Sequence, residues 1–171
     1  MEAKELLELL ERQEELLRFD SFTNQDARRL GNILADIAAE NPTPTTVRVC
    51  IGDTIVYQYT DSPEEDVRFG WVSRKYNLIR KTGHSSMHAC VRNRKLGELA
   101  ELAAESDVYG FGCGGFPIRL KGEPLTEDNL ISSIIGCVAL SGLPDPQDHD
   151  LVVRALEQFL GVEAPKTPEV L

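Results

Sequence analysis

The chain has no apolar run approaching the roughly 18 to 20 residues that a membrane-crossing helix needs. It also has no Cys-x-x-Cys pair. Its four cysteines, Cys50, Cys90, Cys113 and Cys137, stand far apart, which excludes a zinc ribbon or a thioredoxin motif. They read as free thiols in a reducing, cytoplasmic setting. P-loop, dinucleotide fingerprint and Ser-His-Asp arrangement are all missing, so no catalytic residue is assigned and enzyme status is left open. The start, Met1-Glu2-Ala3-Lys4-Glu5, lacks the character of a secretory signal. A net charge of −10 and a pI near 4.8 count against general nucleic-acid or anionic-membrane binding. At 171 residues without internal repeats, the chain reads as one domain over 1–161 with a mobile tail over 162–171.

One absence is local. From Val67 to Gly97 there is no acid, while Arg68, Arg74, Lys75, Arg80, Lys81, Arg92, Arg94 and Lys95 are all cationic. The remaining ten Lys and Arg share the rest of the chain with all 28 acids. The same stretch holds the single Trp and two of the three His. Such segregation points to a functional surface or pocket.

Leu6, Leu9, Leu10, Leu16 and Leu17 share one helical face, with Glu11, Glu14 and Glu15 expected on the other. Thr23 and Asp26 form a capping-box pattern before a second amphipathic helix that Pro42 and Pro44 end. The apolar period then changes to two. Alternating runs over 46–51 and 55–59, joined by Gly52-Asp53, predict a β-hairpin. Ser62-Pro63-Glu64-Glu65 reads as a helix start. The helix beyond it has an apolar arc wide enough, from Val67 and Trp71 to Phe69, Val72, Tyr76 and Ile79, to predict burial on more than one side. Ser85 or Ser86 caps a further helix, and 96–104 reads as helical. Four glycines in 110–115 predict a loop. Residues 116–120 follow as an edge strand, 130–140 as a buried strand, and 146–160 as a last helix capped by Asp145, with Pro146 at its first position and Gly161 ending it. Four strands interrupted by runs of helices are an α+β pattern with an antiparallel sheet.

Several of these residues resemble a known family. The matching residues are Phe19-Asp20-Ser21-Phe22-Thr23-Asn24, Trp71, Arg74-Lys75, Asn77, Arg80, His84-Ser85-Ser86, Gly114-Gly115-Phe116-Pro117-Ile118, and Ser141-Gly142-Leu143-Pro144 with Asp148-His149. Together they resemble the uncharacterised branch of the haem-degrading-domain (GlcG/HbpS-like) family over residues 19 to 160. The resemblance implies a profilin-like α-β-α sandwich around an antiparallel sheet, and ring-like homo-oligomers. Two departures stand out. Gly112 occupies the place of an expected His, which counts against a two-histidine site, and 123–129 looks like an insertion.

The expected ligand site joins Arg74, Lys75, Arg80, His84 and Ser85 with Gly114 and Gly115 around a small anionic ligand, with haem as the cofactor candidate. Arg suits carboxylate or phosphate, imidazole ligates iron, and glycine N–H groups can cradle an anion. The basic block has a plainer reading too, in which its cations pair with acids of the same protein. His84, His88 and Cys113 are weak metal candidates, because no carboxylate lies near them in sequence. Cys113 is expected in an exposed loop, and His149 as a surface or cap residue. A rival reading is an oligomeric adaptor that presents its C-terminal tail to a helical-repeat co-chaperone. Self-association is the first measurable expectation, and a hydrodynamic mass of one subunit at micromolar concentration would refute it.

Overall fold

In the computed structural model the elements are, in chain order, α1 (Ala3–Leu16), α2 (Asn24–Ala38), β1 (Thr46–Ile51), β2 (Thr54–Thr60), α3 (Glu65–Thr82), α4 (Ser86–Leu96), α5 (Ala100–Ala104), β3 (Gly115–Ile118), β4 (Gly136–Ser141) and α6 (Gln147–Leu160). The structure describes residues 1–63 and 65–171, without the side chains of 65–69. Of the expected helix start Ser62-Pro63-Glu64-Glu65, Glu64 lies outside the described residues, as do the side chains of Val67, Arg68 and Phe69.

The strands form one antiparallel sheet in the order β2-β1-β4-β3. Period-two alternation sorts its side chains between two helical layers. Val47 and Val49, Val138 and Leu140, and Phe116 and Ile118 join the cluster that α2 and α6 complete with Leu30, Leu34, Val152 and Leu156. On the opposite face Cys50, Cys137 and Ala139 meet Val72, Tyr76 and Ile79 of α3. The protein is therefore α+β, with helices on both faces of the sheet. The capping box at Thr23 forms as the sequence predicts, with reciprocal bonds of 3.2 and 2.8 Å to Asp26. Pro117 lies in β3 at the sheet edge, where its missing N–H leaves no ladder bond unmade.

Some boundaries differ from expectation. The buried strand begins at Gly136, not 130, because 129–134 closes into turns through bonds such as Ser133 N–H to Asn129 O at 2.9 Å. The helix expected over 96–104 is interrupted where Gly97 adopts the left-handed conformation (φ 67°) and caps α4. Asp145 does not cap α6, since its carboxylate accepts from the Cys113 N–H and from Arg94, both at 2.8 Å.

α1 lies on α4, where Leu6 and Leu10 pack against Met87, Cys90, Val91 and Cys113. This puts Glu14, expected on the polar face, fully inside. The helical stripe Leu6, Leu10, Leu17 passes through positions 13 and 14, so burial of the leucines draws Gln13 and Glu14 in with them. Each buried leucine contributes about 1.5–3 kcal/mol, and an unpaired buried carboxylate would consume that gain. Arg119 supplies the compensation through Nη1 to Glu14 Oε1 at 2.9 Å. It is itself buried and donates to the carbonyl of Leu130 and the hydroxyl of Ser133, each at 2.8 Å.

His149 is fully buried, which corrects the surface expectation. Its Nε2–H donates to Gln13 Oε1 at 2.9 Å, and Gln13 Nε2 donates to the Pro165 carbonyl at 2.7 Å. Burial pushes the imidazole down to about 4. The segment after Gly161, expected to be mobile, lies against the body through this bond, through Ala164 N–H to Glu157 at 2.8 Å, and through Leu171 against the α1–α4 cluster.

Arg119→Met should cost about 3–5 kcal/mol in urea unfolding, because it strands a buried carboxylate. Adding Glu14→Gln should recover part of that loss, and additive losses would show that the two groups are not coupled.

Candidate functional site

The cations of the basic segment do not converge on one cavity. Successive helical residues are about 100° apart, so Arg74, Lys75 and Arg80 leave α3 in different directions. Arg74 stacks over Trp71 at 4.4 Å and donates to the carbonyls of Gly70 and Ser106 at 3.2 and 2.8 Å. Arg80 clamps the hairpin turn, donating to Asp53 at 2.7 Å, the Gly52 carbonyl at 2.6 Å and the Tyr76 hydroxyl at 2.8 Å. Lys75 turns inward, and His84 opens on a separate cleft. The single expected pocket is corrected to two sites. The plainer reading of the basic block holds in part, since Arg80, Arg92 and Arg94 each pair with an acid within the subunit.

The first site is a pocket of ≈ 280 Å³ whose lining includes Trp71, Lys75, Arg94, Gly112, Gly142 and Asp148. Lys75 Nζ bonds the Leu140 carbonyl at 2.9 Å and Asp148 Oδ2 at 3.2 Å, with both side chains 3% exposed. Burial outweighs the ammonium and pushes the Asp148 carboxyl up to about 7. Gly114 sits beneath this pair at φ 108°, where a Cβ would stand 2.4 Å from the Leu140 carbonyl oxygen and 2.9 Å from the Asp148 side chain. Only glycine fits there. The expected glycine cradle has its donors occupied, since the Cys113 N–H serves Asp145 and the Gly115 N–H serves Ser86 Oγ at 2.9 Å. Gly114 and Gly115 thus contribute close packing around Lys75. Cys113 is buried rather than exposed, and a hydrogen bond with Cys90, together with burial, pushes its thiol up. That protonation makes it a poor nucleophile.

The second site is a cleft of ≈ 650 Å³ under α1, lined by Glu8, Glu11, Arg12, Glu14, Glu15, His84, Leu125, Thr126, Glu127 and Leu130. Ser85 caps α4, accepting from the His88 N–H at 3.2 Å, which fixes His84 just before the helix and His88 in its first turn. The two rings stack at 3.8 Å and 19°. His84 Nδ1 meets Glu14 Oε2 at 3.1 Å, so Nδ1–H donates to the carboxylate and Nε2 is the ring nitrogen left over. His88 Nε2 meets Glu11 Oε1 at 3.0 Å, and its buried Nδ1 has no partner. Burial holds His88 below its ordinary value against the pull of Glu11. Burial works to raise Glu14, but His84, Arg119 and His88 outweigh it and hold the carboxylate low.

Glu11, Glu14, Arg94, Arg119 and Asp145 escaped the sequence reading of the site. For Glu14 a signal existed in the leucine spacing. The others are joined only across long separations: Glu11 and His88 are 77 residues apart, and Glu14 and Arg119 are 105 apart.

An antiparallel four-stranded sheet between helical layers, with a buried Lys–Asp pair and a His–carboxylate cleft, defines an α+β protein built for internal polar sites. The chain belongs to the HbpS-like family, described as haem degrading protein HbpS-like, whose profile matches residues 22–157. It is 32% identical over 157 residues to a UPF0303 protein of Streptomyces coelicolor, covering 89% of this chain and 92% of that one. A UPF0303 protein of Brucella anthropi is 29% identical over 162 residues, covering 94% and 90%. Among solved structures, the Ybr137w protein is similar in fold with a TM-score of 0.76 at 23% identity, covering 91% of this chain and 88% of that one. A PduOC:heme complex gives 0.60 at 13% identity, covering 85% and 99%.

The Lys75–Asp148 pair carries a pH signature. Because the folded Asp148 carboxyl lies above its ordinary value, its stabilising contribution is complete at low pH and is lost as pH rises through about 7. Wild type should therefore lose stability relative to Asp148→Asn between about pH 5 and about pH 8 in urea unfolding. Parallel curves would show that the carboxyl titrates normally.

Proposed function

We propose that the protein binds a small anionic molecule in the pocket between α3, the Gly110–Gly115 loop and the start of α6. The observation that carries this is Lys75. Its buried ammonium has three N–H groups, two of them bonded to Leu140 O and Asp148, and the third is available to the pocket. Arg94 at the rim uses one nitrogen for Asp145 and the Phe111 carbonyl, keeping Nε and Nη1 for a ligand. A carboxylate between them would gain charge-assisted bonds worth about 1.5–3 kcal/mol each. Trp71 and Phe111 offer the apolar wall. At ≈ 280 Å³ the pocket falls just below the usual range of ligand sites, about 300–1,000 Å³. That suits a short carboxylic acid better than a macrocycle.

Haem is a second reading, favoured by one observation. Glu14 holds His84 Nδ1–H and frees Nε2 beside the larger cleft, the orientation an axial ligand needs. The family description and the heme complex of a fold relative point the same way. Against it stand five glutamates and one arginine along that cleft, a poor field for two propionates. Self-association draws support from Ile55 and Tyr59, which lie exposed on β2 at the sheet edge. The adaptor reading draws none, because the tail is held against the body.

A thermal-shift screen of mono- and dicarboxylates should find a stabilising ligand, and Arg94→Ala should weaken its binding about tenfold or more. Absence of any shift from carboxylates and phosphates would refute the anion pocket. Haem titration decides the second reading, which requires a saturable Soret band in wild type that is lost in His84→Ala.

A further inference from the structure

We infer that the cleft beneath α1 is a binding site for a first-row divalent transition metal ion, held by Glu11, His84 and His88. One ligand atom from each of the three lies within 4.8 Å of the others. Two imidazoles and one carboxylate, with positions left open, are the ligand set that suits ions such as Fe²⁺, Co²⁺ or Zn²⁺ rather than Ca²⁺ or Mg²⁺. The separation of His88 Nε2 and Glu11 Oε1, 3.0 Å, is close to what two ligands of one ion adopt when each bond is about 2.0–2.2 Å.

Two further observations support a metal site over a purely structural pair of histidines. Glu14 binds His84 through Nδ1 and is itself fixed by Arg119, which is how an outer carboxylate orients a ligating imidazole. The charge also has the right sign. Glu8, Glu15 and Glu127 line the same cleft with Arg12 as the one Lys or Arg among the described residues that line it, a field that gathers cations and repels anions. The cleft is open, so water or a substrate atom can complete the coordination. This site is separate from the Lys75 pocket and does not depend on what that pocket binds.

Co²⁺ titrated into chelator-stripped full-length protein tests the inference. The expected result is one ion per chain, with visible d–d absorption that saturates. Glu11 is half exposed, so Glu11→Gln keeps the fold, and it should weaken Co²⁺ binding at least about tenfold, as should His88→Ala. Glu14→Gln, which removes the carboxylate that orients His84 and one negative charge of the cleft, should weaken it about 10–100-fold while retaining a 1:1 end point. Thermal unfolding without metal checks that each variant is folded. No saturable uptake by wild type would overturn the inference, and so would Glu11→Gln binding Co²⁺ as tightly as wild type.

Discussion

A carboxylate placed where water cannot reach it must find charge and hydrogen bonds inside the protein, and Glu14 imposes that constraint here. Its two oxygens are shared between the Arg119 guanidinium and the His84 ring. The desolvation of such a group costs several kcal/mol, so α1 docks only in the position that supplies both partners. Arg119 leaves β3 and reaches the 130–133 turn, while His84 marks the junction of α3 and α4. One side chain of the first helix thus fixes three segments more than 65 residues away in sequence. The nearby Phe19–Leu120 bridge runs along the same seam.

The same docking shapes the chemistry. Glu11, Gln13 and Glu14 come from one turn of α1, and each meets a different histidine. His149 is thereby kept neutral and closed in, whereas His84 faces a cleft rich in acid with the buried His88 stacked against it. A second, unrelated constraint governs the middle of α3, where Lys75 reaches the Leu140 carbonyl of β4 and is compensated by Asp148. The two sites differ in sign as well as size. The cleft is anionic. In the smaller pocket each cation meets an acid, with donors left over.

Much of the fold was legible because it rests on local rules. Period-two alternation in 46–51 and 55–59 requires a strand whose faces differ. The Thr23–Asp26 box and the Ser85 cap follow from orphan N–H groups at helix starts. Gly97 and Gly161 end helices in the left-handed conformation. Where reading failed, a non-local partner had overridden the local preference. Asp145 looks like a cap but is claimed by Arg94 and Cys113. The apolar stretch after 130 looks like strand, yet its carbonyl at Leu130 is taken by Arg119.

The sequence by itself determined the elements, the class and the residues with chemical potential, because helix and strand periodicity, capping and charge segregation are properties of neighbours along the chain. It also determined the family, since the Arg-Lys and His-Ser-Ser blocks lie in short contiguous motifs. Only the tertiary structure decided which of those residues meet. It dispersed Arg74, Lys75 and Arg80 around a helix, closed Cys113 and His149 into the interior, and carried Glu11 across 77 residues to His88. The physical reason is that buried charges are compensated by whichever partners the packing brings within about 3 Å, and separation along the chain places no limit on that choice.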